Sequence, residues 1–343
     1  TADTQAMLDK GISPRHISRA GDRRRAGFLE AEGGGTVLLV RGDVAADLGL
    51  PVYGVVAFAQ SFADGAHTSI PAPGIGVLAA GRGQQSSALA RGLRSVGASA
   101  DDVAVVSKHD TSTNANDPNE AELHSRLSTA LDRSAGNPLY VISQKTLTGH
   151  AKGGAAMFQI AGLCEVFANQ VIPGNRSLDC LDPVMKPHTP LVWLRKPLKL
   201  AQPARAAVLT SLGFGHVAAL IALVHPSAFE ATLAAERGEN AAATWRERAN
   251  QRLADGARRL RDAMTGGKPL FQPIEGRRLP ADSDLAHEVE AAMLLDSGAR
   301  LGADGQFGLA GVAEAGGNSV EPSGSANPDG NANQATSNLG QDA

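Results

Sequence analysis

Three short segments of this sequence hold side chains able to stabilise charge or carry protons. Lys108-His109-Asp110-Thr111-Ser112-Thr113 runs on to Asn116, Asp117 and Glu120, Lys145-Thr146-Leu147-Thr148-Gly149-His150 supplies a second histidine, and Ser211-Leu212-Gly213-Phe214-Gly215-His216 supplies a glycine loop. His109 and His150 each lie in a threonine-rich turn with a lysine close by. Neutral imidazoles in such places can donate hydrogen bonds to an oxygen on which negative charge develops. The backbone N–H groups of a tight loop through Gly213, Phe214 and Gly215 can do the same. Gly213, Gly215 and Ala218 also fit a G-x-G-x-x-A dinucleotide fingerprint, but residues 217–224 read as a strand where that motif requires a helix N-terminus to receive the pyrophosphate.

Plainer readings stand beside these. Asp117-Pro118-Asn119-Glu120, ahead of the Leu123, Leu127, Leu131 stripe, has the pattern of a helix N-cap with proline at the first helical position, which would leave Asp117 and Glu120 as caps alone. Lys145, if buried, needs a carboxylate or backbone oxygens. Glu120 is a candidate by type, and the two would then form a structural ion pair. A single histidine at a strand end is most often a hydrogen-bonded structural residue, and His16, His67, His124, His188, His225 and His287 read that way. His150 differs in standing where the next helix begins, since the positive end of a helix disfavours imidazolium.

The elements that must position these groups alternate between strand and helix patterns. Residues 36–40, 53–60, 103–107, 139–143, 206–211 and 217–224 are short β-branched or aliphatic runs, and 87–96 and 119–131 are helical candidates. A third helix, 153–168, is apolar nearly all round, which predicts a helix buried between layers. The pattern is α/β, with sheets covered by helices, and in such sheets ligands sit beyond the carboxyl ends of strands. All three chemical segments follow strands directly.

The chain has 343 residues, Lys+Arg 32 against Asp+Glu 35, a net charge of -3 and 43% hydrophobic residues. That is enough apolar material for a core, and it excludes wholesale disorder. The near-neutral balance, with only Arg23-Arg24-Arg25 as a basic cluster, argues against a nucleic-acid surface. Residues 206–229 carry no charge over a length that could span a bilayer, but Gly213, Gly215, His216, His225 and Pro226 fit two buried strands and a loop better than a membrane helix. Cys164 and Cys180 have neither disulfide-framework nor zinc spacing, which suits a reducing, cytoplasmic setting. The N-terminus has no initiator Met and no signal pattern, so the chain reads as a piece that starts mid-protein. Residues 227–310 read as a helical extension and 311–343 as a disordered Gly/Ala/Asn/Ser tail.

Together the motifs resemble those of β-ketoacyl synthases. Residues 108–113 look like the His-Gly-Thr-x-Thr motif, Lys145 to His150 look like Lys-x-x-x-Gly-His, and residues 211–215 resemble the Gly-Phe-Gly loop. Upstream, Gly27-Phe28-Leu29-Glu30-Ala31-Glu32-Gly33-Gly34-Gly35 is similar to the Gly-Phe-x-x-x-Glu-Gly-x-Gly segment. The Asn-Asp-Pro-Asn-Glu run, Ile172-Pro173-Gly174-Asn175-Arg176 and His225-Pro226 look most like the ketosynthase of microbial type I fatty acid synthases, in particular the actinobacterial single-chain form. The sequence departs from the family at Asp110 and His216, where glycine is usual.

The resemblance implies a thiolase-like, layered αβαβα fold of which this chain is the C-terminal half only, with residues 1–226 as ketosynthase. It implies decarboxylative condensation of malonyl units with an acyl-cysteine thioester. No cofactor would be bound by this segment, because substrate arrives on the phosphopantetheine of an acyl carrier domain. His109 and His150 would be catalytic, with the Phe214 N–H as an oxyanion donor and the Phe214 ring as gate. Gly213 and Gly215 would shape that loop, Thr111 and Thr113 would hold the pantetheine arm, and Lys145 and Glu120 would support the histidines. The family's nucleophilic cysteine lies upstream of the Gly-Phe-x-x-x-Glu-Gly segment, so Cys164 and Cys180 are expected to be structural. Expected partners are the acyl carrier domain, the N-terminal half of the ketosynthase, other synthase domains and a second copy of the chain. A polyketide-type or thiolase-type condensing enzyme and a non-catalytic assembly piece remain the alternatives.

Overall fold

The computed structural model describes residues 2–64, 74–213 and 216–266, together with the backbone of 299–301 and 307–309. In chain order the helices are α1 (Ala2–Asp9), α2 (Gly42–Leu48), α3 (Ile75–Ala79), α4 (Ala88–Ser95), α5 (Asn116–Ala130), α6 (Lys145–Thr148), α7 (Ala155–Asn169), α8 (Ser227–Arg237) and α9 (Glu239–Met264). The strands are β1 (Val55–Ala63), β2 (Val103–Ser107), β3 (Leu139–Ile142), β4 (Val171–Ile172), β5 (Leu191–Trp193), β6 (Leu198–Lys199), β7 (Ala206–Gly213), β8 (Val217–Val224), β9 (Ala299–Leu301) and β10 (Phe307–Leu309).

Six strands form one sheet in the order β1-β8-β7-β2-β3-β5. β7, β2, β3 and β5 run parallel, while β8 pairs antiparallel with both β7 and β1. Because β2, β3 and β7 are parallel neighbours, with Ser107 level with Ile142 and Leu209, the segments that follow them leave from one edge. The inner strands β2, β3 and β7 bury both faces, as their apolar runs require, whereas no residue of the edge strand β1 is fully buried. Val106, Val208 and Leu220 face α3, α4 and α5 through Val77, Leu89, Leu93, Leu123 and Leu127. Val105, Ile142, Leu209 and Leu223 face α7 through Leu163, Val166 and Phe167. The sheet is thus an α/β layer with helices on each side, and the glycine motif after β7 leads into a β-hairpin, which removes the dinucleotide reading.

Several expectations are corrected. Residues 36–40 form no strand, and Leu38 and Leu39 are 79% and 75% exposed. No described strand hydrogen-bonds to this run, so its β-forming composition has no ladder to join. α7 is buried along one stripe only, through Ala155, Gln159, Leu163, Val166 and Phe167, while Met157, Phe158 and Ile160 are half-buried and Glu165 is exposed. The cap reading of Asp117 and Glu120 also fails. α5 starts at Asn116, whose N–H bonds to the Thr113 hydroxyl at 3.0 Å, and the Asp117 carboxylate instead accepts the Gly21 N–H at 2.9 Å.

α8 and α9 pack through Leu233, Ala242, Trp245 and Ala249 against Ala46 and Val52, and the Trp245 indole donates to the Leu50 carbonyl at 3.0 Å. Further along α9, Leu253, Leu260 and Met264 are exposed. Residues from 269 on form a separate unit whose described backbone is the β9–β10 antiparallel pair, so the stretch 227–310 is not helical throughout. The tail 311–343 lies outside the described residues. Among the described residues no helix is long and apolar enough to cross a membrane.

α4 crosses β1 at very short range. A Cβ on Gly92 would come within 2.4 Å of the Ala57 carbonyl oxygen. Gly92→Ala is therefore expected to lower the unfolding free energy by about 1–3 kcal/mol, despite the ~1 kcal/mol that alanine gains in a helix. Denaturant titration checks this, and unchanged or increased stability would contradict the close approach.

Candidate active site

The three strand ends meet as the topology requires. His109 follows β2, and His150 follows β3 by way of the single-turn helix α6. Their ring centroids lie 5.4 Å apart with the planes nearly perpendicular. His109 is buried and His150 is half-buried.

Each ring has one nitrogen already engaged. Lys145 places its Nζ 3.2 Å from His109 Nδ1 and donates to the His109 carbonyl at 2.6 Å. On the other ring, the Lys152 N–H donates to His150 Nδ1 at 3.1 Å. A nitrogen that accepts a hydrogen bond carries no proton, so both neutral imidazoles hold theirs on Nε2. The rings are kept neutral by their surroundings. Burial and then the Lys145 charge hold His109 at about 3, against an ordinary 6.5, and burial followed by the Lys145 and Lys152 charges holds His150 at about 4. A 3-10 turn, Lys152–Gly154, intervenes before α7, and the depression of His150 follows burial and the two lysines rather than the helix end expected from sequence.

Backbone geometry places the His150 ring. The His150 N–H donates to the Leu29 carbonyl at 2.8 Å and the Ala31 N–H to the His150 carbonyl at 3.2 Å. This brings Phe28 edge-on to the imidazole, with centroids 5.0 Å apart. Gly149 has φ +75°, and a Cβ there would lie 2.7 Å from Ala31 Cβ, so glycine is required immediately before the histidine.

Glu120 is the hub behind His109. Fully buried on α5, it accepts the His109 N–H at 2.5 Å, the Asp110 N–H at 2.8 Å, the Asn116 amide at 3.3 Å and a short hydrogen bond from the Thr210 hydroxyl. His124 lies 3.7 Å from the same carboxylate and bonds to Thr210. Burial opposes ionisation of Glu120, but the neighbouring His124 and the Lys108 charge outweigh it and hold the carboxyl below its ordinary range. Lys145 makes no direct ion pair with Glu120. It grips His109 instead, and burial brings it down to about 8 while Glu120, Asp110 and Asp117 resist.

Thr111 and Thr113 share a hydrogen bond at 3.0 Å, with Thr111 buried and Thr113 half-buried. Gly213 ends β7, exposed, opposite Val217. Phe214 and Gly215 lie outside the described residues. Asp110 and His216, the two departures from glycine, have φ +34° and +61°, so the backbone at both keeps a conformation that glycine adopts freely. Sequence reasoning missed Gln159, whose buried amide donates to the carbonyls of Ser107, Lys108 and Thr210 at 2.9, 3.1 and 3.2 Å and so ties α7 to the ends of β2 and β7. It also missed Phe28 and the Lys152 N–H as contacts of His150. A polar residue within an otherwise apolar helix was the available signal for Gln159. Of the cysteines, Cys164 is half-buried on α7 with its thiol pushed up by burial and by Glu165, and Cys180 is exposed.

Residues 53–179 match the β-ketoacyl synthase C-terminal domain family. The chain carries a β-ketoacyl synthase C-terminal domain. This ketosynthase region is similar to the fatty acid synthase alpha subunit hexA of Dothistroma septosporum, 38% identical over 261 residues that make up 68% of this chain and 15% of the relative. It is also similar to fatty acid synthase 2 of Mycosarcoma maydis, 32% identical over 310 residues, 90% of this chain and 8% of that protein. The chain thus spans a small part of the curated relatives it matches. In fold it resembles the noncanonical ketosynthase FabY from P. aeruginosa, with a TM-score of 0.63 at 24% identity, covering 76% of this chain and 40% of that one.

Since both imidazole values are depressed, acidification from pH 8 to 5 is expected to leave the rings neutral, with protonation only near 4 for His150 and near 3 for His109. Nitrogen NMR of the ¹⁵N-histidine-labelled chain checks this. Nε2–H shifts that do not move between pH 5 and 8 are expected, and a midpoint near 6.5 for either ring would contradict the assignment.

Proposed function

We propose that this region supplies the enolate-stabilising half of a 3-oxoacyl synthase site within a larger fatty acid synthase. The observation that carries the reading is the pair of neutral imidazoles, 5.4 Å apart, each with Nδ1 occupied and each therefore a donor through Nε2. In a decarboxylative Claisen condensation the bond from the malonyl α-carbon to its carboxylate breaks, carbon dioxide leaves, and the electron pair passes into an enolate on the thioester oxygen. That carbon then attacks the carbonyl of an acyl thioester held on a cysteine. A carbon–carbon bond forms, the carbon–sulfur bond breaks, and the thiolate is released. Two neutral donors at the enolate oxygen favour the charged transition state over the uncharged carbonyl, which is the condition for acceleration. Imidazolium could protonate the enolate and quench it, so depressed values suit the task.

In this reading Thr111 and Thr113 hold the pantetheine arm of an acyl carrier domain, and the loop through Gly213, Phe214 and Gly215 gives the acyl oxygen a backbone donor, with the Phe214 ring as gate. Lys145 and Glu120 keep His109 in register. The nucleophilic thiol comes from a segment outside these 343 residues, because Cys164 is held protonated by burial and Cys180 stands on an exposed loop. The chain by itself is then inactive and requires the rest of the ketosynthase and synthase as partners.

His109→Ala and His150→Ala in the intact synthase are each expected to slow malonyl decarboxylation and condensation by roughly 10²–10³-fold, the usual cost of losing one such donor. Wild-type rates in either variant would refute the assignment. Elongation by the 343-residue chain alone would refute the external thiol.

A further inference from the structure

The buried group least explained by the chemistry above is Lys108. It is 0% exposed, and its Nζ reaches the equally buried Asp110 carboxylate at 2.5 Å, with the Asp117 carbonyl at 3.4 Å as a weaker partner. The second carboxylate oxygen of Asp110 accepts the Ser143 hydroxyl at 2.6 Å. Lys108 and Asp110 flank His109 in sequence, and Ser143 directly follows β3, so the triad joins the ends of two parallel strands on either side of the catalytic turn.

Asp110 also adopts φ +34°, a left-handed conformation in which an L side chain is strained and glycine is not. An aspartate there can be held by its own side-chain bonds, and this one has two. The conformation has a purpose. It turns the chain so that the consecutive N–H groups of His109 and Asp110 both meet the Glu120 carboxylate, at 2.5 and 2.8 Å. Lys108, for its part, is an ammonium with one counter-charge in contact, and burial of such a group is tolerated only while that partner is present.

We propose that Lys108 and Asp110 are paired positioning residues for His109. The ion pair, steadied by Ser143, fixes the left-handed turn that orients the imidazole, and neither residue can be exchanged without the other. Asp110 thereby does by charge pairing what glycine would do by conformational freedom. Either single loss disturbs the turn: removing Asp110 strands a buried ammonium, and removing Lys108 leaves a buried carboxylate at a strained backbone position. Removing both, with glycine at 110, restores a turn that needs no counter-charge.

The inference rests on the catalytic role given to His109, and the test separates the two. Malonyl decarboxylation by the intact synthase is measured for Lys108→Met, Asp110→Gly, Asp110→Asn, the double variant Lys108→Met/Asp110→Gly, and His109→Ala. Assembly of each is checked by gel filtration and thermal unfolding. Each single variant at 108 or 110 is expected to lower kcat at least tenfold with KM for the malonyl carrier within twofold, and the double variant to return within threefold of wild type. Asp110→Asn covers the case in which Asp110→Gly fails to assemble, because asparagine tolerates the left-handed turn and removes only the charge. A double variant no better than the worse single one, or wild-type kcat in Asp110→Asn, overturns the pairing. Wild-type rates in His109→Ala would instead overturn the functional reading beneath it.

Discussion

One buried carboxylate holds the His109 turn in place. Glu120 receives the N–H groups of His109 and Asp110 on its two oxygens and the Thr210 hydroxyl from β7, so that α5, the end of β2 and the end of β7 are bound to a single charge. A carboxylate sunk this deep costs several kcal/mol in lost hydration and is stable only when its oxygens are filled. Here they are filled by two backbone and two side-chain donors, and the backbone pair converts the cost of burial into a demand for one backbone path. The rest of the site follows that path.

The parallel order of β7, β2 and β3 brings the three segments to one edge, and Glu120 then fixes which way the first of them turns. Lys145 can reach both the carbonyl and Nδ1 of His109 only because that turn is fixed. The same lysine, together with burial, keeps both imidazoles neutral, so an arrangement needed to position the rings also sets their protonation. Gly149 admits the approach of residues 29–31 on the opposite side, from which Phe28 packs against His150. The cluster thus balances two buried ammonium groups against the Asp110 and Glu120 carboxylates, while Asp117 is pushed up to about 7 by burial and by the Asp110 charge.

Much of this was legible in the order of residues. Strand runs followed directly by histidine turns predict convergence at one sheet edge, and the G-x-G after β7 could be rejected because the following residues are strand-like. What escaped depends on contacts between segments distant in sequence. Asp117-Pro118-Asn119-Glu120 has every local mark of a cap, yet its acids point to Gly21 and to the residues after β2, which no local pattern encodes. Residues 36–40 have strand composition, but a strand exists only with a ladder partner. The importance of Asp110 was visible only as a departure from glycine, and its meaning emerged with a positive φ and the Lys108 ammonium beside it.

The most direct test of the account is the single substitution Glu120→Gln in the intact synthase, with malonyl decarboxylation and thermal unfolding followed together. Glutamine keeps the volume of the side chain but replaces one acceptor oxygen with an N–H₂ that must face an N–H or hydroxyl donor. The account predicts that decarboxylation falls by about 10²-fold, the scale of a misplaced donor, in protein that still assembles. A Glu120→Gln enzyme that assembles and turns over at the wild-type rate would contradict it.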